Sequence, residues 1–306
     1  MKVFKQIVKA KEKFPRLVVG IGNFDGVHLG HLKIIRKVGE TAGKAGTAGI
    51  ITFAPHTRYV VGGGGEKILT TMEQRLSYFR QLGIGVCWVA EFDREFSRQS
   101  AVGFAREILI ERLKIMGICL GKGYRFGRNR KGNVGLLRKM GEAYGFRVEE
   151  VAPVKVRGVR VSSSIIRQLI SRGEVERAAR FLGRDYCLSG RVVRGEQRGK
   201  KWGYPTANFR PQQLMPAPGV YAARIGVSGE TRPGLLYIGR RPTIPENKRR
   251  PLLAEAYLFD WAGDLYRRRI KVSLKKKVRR DIKFKSLSDL YRRVSEDEKA
   301  ARSILR

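Results

Sequence analysis

Through about residue 160, short apolar runs of β character alternate with stretches of helical periodicity, and nothing else in the 306-residue chain narrows the fold as far. The β-like runs fall near residues 17–21, 49–53, 85–91, 115–120 and 147–153, and helical spacing fills the intervals from about His31, from 72 to 82 and from 102 to 113. Parallel neighbours cannot be joined by a tight turn and need a crossover, so this alternation predicts a parallel sheet with packed helices, a Rossmann-like α/β layer. The run from Ser162 to Arg167 starts a further helix with hydroxyl capping residues, and Gly173-Glu174-Val175 restarts one that reaches Leu182. After Gly183 and Arg184 the pattern changes to short β-like runs at 187–193, 219–227, 235–239, 252–259 and 266–274, separated by Gly, Pro or Asp. That half predicts a small antiparallel β-barrel closed by a C-terminal helix over about 287–304. Two domains are therefore expected, 1–183 and 184–306, each long enough for its own core.

The turn from the first strand into the first helix carries the densest chemistry. In Asn23-Phe24-Asp25-Gly26-Val27-His28-Leu29-Gly30-His31, two histidines three apart stand where a helix begins. A helix N-terminus offers unpaired N–H groups and positive dipole charge, so glycines and two imidazoles there suit a phosphate. His56, the third and last histidine of the chain, follows the next strand after Pro55. A single histidine is more often structural. Three at the carboxyl ends of neighbouring strands, where open α/β sheets bind ligands, favour a nucleotide site. A rival is a metal shared by His28 and His31, but no nearby cysteine or second acidic cluster completes a ligand set. The tetraglycine Gly62 to Gly65 reads as a loop, since no Lys-Ser or Lys-Thr follows it, and Gly20-Ile-Gly22 is a weak partial dinucleotide fingerprint.

The barrel half has its own cluster. Gly195-Glu196-Gln197-Arg198-Gly199-Lys200-Lys201-Trp202-Gly203 can close a glycine-rich basic loop, with Gly195 and Lys200, over phosphates. Thr206 and Asn208, two apart on an extended segment, aim oxygens the same way and suit Mg²⁺ held chiefly by substrate phosphates. A turn-rich hairpin with a solvated basic tip is the bland alternative. Glu255, an acid amid Leu252-Leu253-Ala254 and Ala256-Tyr257-Leu258, is of a kind usually found on the exposed face of a strand; facing the barrel mouth instead, it would be partly desolvated and suited to general-base work.

Charge and cysteines bound the rest. Sixty-four Lys+Arg against 27 Asp+Glu give a net charge of +37, which calls for a polyanion-binding reading; yet the basic residues run along almost the whole chain. A solvated basic surface with at most non-specific, salt-sensitive RNA adhesion is expected. No apolar stretch reaches about 18 residues and no leader pattern opens the chain, so neither a membrane span nor a signal peptide is expected. Three widely spaced cysteines, Cys87, Cys119 and Cys187, fit reduced thiols and a cytosolic protein. Nothing in the pattern assigns an oligomeric state.

Taken together, Gly22-Asn-Phe-Asp-Gly-Val-His-Leu-Gly-His31, Thr52-Phe-Ala-Pro-His56, Tyr124-Arg-Phe-Gly127, Ser162-Ser-Ser-Ile-Ile-Arg167, Gly203-Tyr-Pro-Thr-Ala-Asn208, Pro218-Gly-Val-Tyr221, Ile238-Gly-Arg-Arg-Pro-Thr243 and Glu255 resemble the bacterial bifunctional riboflavin kinase/FMN adenylyltransferase family. The resemblance runs nearly end to end. It implies two reactions with ATP as co-substrate and Mg²⁺: riboflavin to FMN, then adenylyl transfer to FMN giving FAD and pyrophosphate. It makes Glu255 the base for the riboflavin hydroxyl and Thr206 and Asn208 the Mg²⁺-ATP ligands. It makes His28, His31 and Arg167 neutralisers of phosphate charge in the second step, where the FMN phosphate is already an anionic nucleophile. Asn23, Phe24, Gly26, His56, Ser163 and Ser164 fall at nucleotide-binding positions, with Gly195 and Lys200 in the kinase loop. Arg125 and Arg279 fall on the flavin side. Three positions depart from the family pattern: Gly123 and Asn133 stand where acidic residues are common, and Arg194 where a histidine is. Two alternatives stay open, an enzyme whose kinase half alone is efficient and a basic nucleic-acid-binding protein on a nucleotidyltransferase scaffold.

Overall fold

The computed structural model describes residues 1–5, 7, 14–57, 60, 67–194, 204–239, 252–284 and 286–306. The tetraglycine, Gly195, Lys200 and the 240–243 motif segment lie outside the described residues. The chain divides into two compact units, Met1–Ser162 and Ser163–Arg306.

The first unit is a six-stranded parallel sheet: β1 (Lys2–Phe4), β2 (Val18–Ile21), β3 (Ala48–Ala54), β4 (Val86–Glu91), β5 (Gly117–Gly121) and β6 (Arg147–Val151), in the order β1-β4-β3-β2-β5-β6. The order reverses at β2, which pairs with β3 on one side and β5 on the other, and open α/β sheets bind ligands at the carboxyl ends beside such a reversal. Central strands are apolar without alternation because helices cover both faces. Val19, Ile21, Ile51 and Trp88 enter one core cluster, while Ile50 and Cys87 enter another on the opposite face. The helix Leu29–Ala42 buries Ile35, Val38 and Ala42 and crosses back toward β3. Met72–Gln81 leads into β4 and begins with a reciprocal cap between Thr71 and Gln74. The helical stretch expected over 102–113 forms as a turn, Ala101–Gly103, that widens into a π-helix, Phe104–Arg112. A two-stranded ribbon, β7 (Lys155–Val156) with β8 (Val159–Arg160), ends the unit.

The second unit opens with two helices, Ser163–Ser171 and Val175–Leu182. The latter rests against β9 (Tyr186–Val193) and β14 (Arg269–Arg280). The other strands are β10 (Thr206–Phe209), β11 (Gly219–Val227), β12 (Glu230–Gly239) and β13 (Leu253–Leu258). All six close into an antiparallel barrel in the order β10-β13-β12-β11-β14-β9. Every second side chain points inward: Ala207 and Phe209, Ala254, Ala256 and Leu258, Ile270, Val272 and Leu274 are all buried. The outer face of β11 and β12 is apolar too, through Val220, Ala222 and Leu235, because the helix Leu287–Leu305 covers it with Ala301 and Leu305. The structure thus has the expected α/β layer, antiparallel barrel and C-terminal helix.

Candidate active sites

In the first unit, β2 ends at Ile21 and the chain turns sharply before the helix Leu29–Ala42. Phe24, Gly26 and Val27 all adopt positive φ, at 49°, 88° and 39°. Glycine takes such a conformation freely, but a β-branched valine does so only under constraint. His28 is the helix N-cap, and its Nδ1 accepts the backbone N–H of His31 at 3.2 Å. A neutral imidazole that accepts at Nδ1 carries its proton on Nε2, so the ring can offer a donor to an anion. The His28 and His31 rings stack at 3.6 Å between centroids and 15° between planes, with Phe24 edge-on to His31 at 5.3 Å. Asn23 joins this turn to the end of β3: its Nδ2 donates to Thr57 Oγ1 at 2.8 Å, beside buried His56. Asn23, Phe24, Gly26, His28, His31 and His56 are therefore gathered at the carboxyl ends of two adjacent parallel strands.

Three residues hold that turn without having been singled out from sequence. The buried Asp25 carboxylate accepts from the Leu69 and Thr70 N–H groups and the Thr70 hydroxyl. Arg75, also buried, donates through Nη1 to the Asn23 carbonyl at 2.7 Å. Burial lowers the Arg75 pKa from its ordinary value, opposed by the charge of Asp25. Asp25 lies inside the histidine motif, whereas Arg75 carries no sequence signal beyond its place in a helix.

Arg125 is exposed on the loop after β5, between half-buried Tyr124 and buried Phe126, whose rings stack at 6.1 Å. Gly127 has φ of 70°, and a Cβ there would meet the Ala101 backbone at 2.6 Å, so only glycine fits the Arg-Phe-Gly turn. Gly123 too adopts a positive φ, of 79°. Asn133 caps the helix Val134–Tyr144, accepting the Leu136 N–H at 2.9 Å, a role that Asn and Asp perform about equally. Ser163, Ser164 and Arg167 fall in the helix that opens the second unit.

In the second unit the pairing register shows which face of its strand Glu255 takes. Glu255 stands directly opposite Asn208 of β10 on one side and Tyr237 of β12 on the other, and Thr206 stands opposite Tyr257. Cross-strand partners share a face, so Thr206, Asn208, Glu255, Tyr237 and Tyr257 are all on the outer wall of the barrel, while Ala254 and Ala256 point inward. Glu255 is half-buried there. Tyr237 donates its hydroxyl to Asp281 at 3.2 Å; burial, and then the negative charges of Asp281 and Glu255, push its phenol well above the ordinary range, so it stays a neutral donor. Arg279 of β14 donates Nε to both carboxylate oxygens of Asp297 in the C-terminal helix, at 2.9 and 2.8 Å, with its guanidinium over Phe284. Burial pushes the Asp297 carboxyl up, opposed by Arg279 and Arg293.

A threonine hydroxyl, an asparagine carbonyl and a facing carboxylate are hard oxygen donors, the set that Mg²⁺ accepts beside substrate phosphates. Among the described residues no group of three or more His, Cys, Asp or Glu could hold a metal ion by itself.

Comparison with known proteins matches each half separately. Residues 10–165 match the family described as FAD synthetase and residues 182–305 the one described as riboflavin kinase. The bifunctional riboflavin kinase/FMN adenylyltransferase of Buchnera aphidicola (subsp. Schizaphis graminum) is 34% identical over 302 residues, 97% of this chain and 96% of that protein. The chain belongs to the bifunctional riboflavin kinase/FMN adenylyltransferase family. The Escherichia coli K12 relative is 34% identical over 289 residues, covering 93% of this chain and 91% of its own length. A solved structure described as a macrolide-efflux protein from Streptococcus pneumoniae superposes with a TM-score of 0.86 at 25% identity, covering 98% of both chains. No helix among the described residues is long and apolar enough to cross a membrane. A riboflavin kinase/FMN adenylyltransferase phosphorylates riboflavin with ATP to give FMN, then transfers an adenylyl group from ATP to FMN, giving FAD and pyrophosphate. Riboflavin, FMN and ATP are its substrates.

Proposed function

We propose that the two reactions are divided between the two clusters, with adenylyl transfer assigned to residues 1–183 and phosphorylation of riboflavin to 184–306. The observation that carries the kinase assignment is the register that sets Glu255 directly opposite Asn208, with Thr206 on the same face. An alcohol is a poor nucleophile, so Glu255 takes the proton of the riboflavin 5′-hydroxyl as it attacks the γ-phosphate. Thr206 and Asn208 would hold Mg²⁺, and the ion, when bound, would neutralise phosphate charge. Gly195 and Lys200 cover those phosphates, and Arg279 steadies the flavin.

In the second step the FMN phosphate needs no base. What remains is charge that builds on the ATP phosphates, and His28, His31 and the N–H groups of their helix neutralise it. Ser163, Ser164 and Arg167 bind nucleotide phosphate, His56 and Asn23 the rest of the nucleotide, and Arg125 the flavin. Losing one such donor costs about 10² to 10³ in rate.

The cytosol is the proposed compartment, supported by three free thiols. Nucleic acid binding is proposed to be non-specific only. Residues 1–162 hold 30 Lys+Arg against 13 Asp+Glu and residues 163–306 hold 34 against 14, so the excess is spread over both units.

The test is product analysis of purified protein given riboflavin, ATP and Mg²⁺. FMN should appear first and FAD follow; FMN accumulating without FAD would favour the reading in which the adenylyltransferase half, with Gly123 and Asn133, is impaired.

A further inference from the structure

The histidine turn is held from outside by one short segment, residues 69–75. Asp25 is 1% exposed and accepts from the Leu69 N–H at 3.0 Å, the Thr70 N–H at 3.0 Å and the Thr70 hydroxyl at 3.2 Å. The same Thr70 Oγ1 accepts the Gly26 N–H at 2.9 Å. A hydroxyl has one proton and two lone pairs, so Thr70 makes both bonds at once. Thr71 then caps the helix in whose first turns Arg75 sits, and Arg75 Nη1 donates to the Asn23 carbonyl at 2.7 Å and to Thr52 Oγ1 at 3.2 Å. Residues 23, 25 and 26 are all gripped by partners 44 to 52 positions away. Between and beside them lie Phe24 and Val27 at φ of 49° and 39°. Such conformations persist only where surrounding bonds over-determine them, and the turn they shape ends on His28.

We propose that Thr70 and Arg75 are positioning residues for adenylyl transfer: with Asp25 they lock the 22–28 turn in the conformation that presents His28 and His31 to the ATP phosphates. The proposal rests on the reading of those histidines as phosphate-site groups. Neither residue touches the reacting atoms; each acts through the turn. Binding of ATP draws on other groups as well, so loss of the lock should lower kcat far more than it raises KM.

Thr70→Val keeps the shape and removes the hydroxyl, while Thr70→Ser keeps the hydroxyl and removes a methyl. In full-length protein, kcat and KM for FMN-to-FAD conversion are measured alongside the riboflavin-to-FMN rate. Thr70→Val should lose about 10²-fold in kcat for FAD, the cost of a misplacement of about 1 Å, with ATP KM within about threefold and FMN formation unchanged. Thr70→Ser should return to within about fivefold of the parent. Equal adenylylation by Thr70→Val and the parent overturns the proposal, as does a loss that serine fails to rescue. Should Thr70→Val fail to fold, Arg75→Lys decides: its shorter ammonium cannot hold both acceptors, so kcat should drop about tenfold at unchanged KM, and parental kcat overturns the proposal. His28→Ala, run in parallel, separates the two claims. Full activity in His28→Ala refutes the histidine reading itself, whereas activity lost there but kept in the Thr70 and Arg75 variants refutes only the lock.

Discussion

Replacing Asp297 with asparagine should weaken both the hold of the C-terminal helix on the barrel and the affinity for riboflavin. The Asp297 side chain is 3% exposed and that of Arg279 is 10% exposed, so the pair is shielded from solvent. Removing one partner of a buried pair costs about 3–5 kcal/mol, because the other charge is left without compensation. Asparagine keeps the shape and one acceptor, and a charged donor still bonds to it, so about 2–3 kcal/mol is expected for Asp297→Asn. The net worth of the pair is smaller than the cost of breaking it. Burial pushes the Asp297 carboxyl up even with two arginines opposing, which means desolvation is not fully repaid. Arg279→Met with Asp297→Leu should therefore fall within about 1 kcal/mol of the parent. Urea unfolding followed by loss of FMN-forming activity measures the barrel; riboflavin KM measures the flavin side and should rise in both variants if Arg279 serves it. Equal destabilisation of the single and double variants, by about 3 kcal/mol, would refute the argument from desolvation.

Burial pushes Cys87 to about 12 and Cys119 to about 11, so at pH 8 their thiolate fractions are on the order of 10⁻⁴ and 10⁻³. Iodoacetamide should therefore label Cys187 first in native protein and reach the other two only in denaturant, as peptide mass analysis would show. Asn133→Ala should cost the first unit about 1 kcal/mol in thermal unfolding, and Asn133→Asp should stay within about 0.5 kcal/mol or gain from the helix dipole. Retention on RNA should fall steeply between about 50 and 200 mM salt while flavin turnover changes little; RNA binding that survives such salt would contradict the non-specific reading.

The layered half was legible because strands covered on both faces are continuous apolar runs, as at Val18–Ile21 and Ala48–Ala54. Strand β1 and the 155–160 ribbon are not legible in the sequence: with strands of two or three residues, largely exposed and carrying Lys or Arg, they have no periodicity. Strand β14 runs to Arg280, well past the expected 274, because two register shifts against β11, at Lys275 and at Val278, break the alternation. The face of Glu255 is a matter of pairing register, which a single strand's sequence does not contain. Asp297 illustrates the same limit: it reads as one more charge on a solvated helix, and only the fold brings it to Arg279. Thr70 and Arg75 act on residues 44 to 52 positions away, and no local pattern marks such a bond.

Separation of the two half-reactions in one pair of variants tests the division of labour most directly. Full-length Glu255→Gln and the double variant His28→Ala with His31→Ala are each given riboflavin and ATP, then FMN and ATP, and the flavins are quantified. Glu255→Gln should make no FMN from riboflavin yet convert supplied FMN to FAD at the parental rate. The histidine variant should make FMN and stop there. Loss of both steps in either variant, with native circular dichroism retained, would contradict the assignment of one reaction to each cluster.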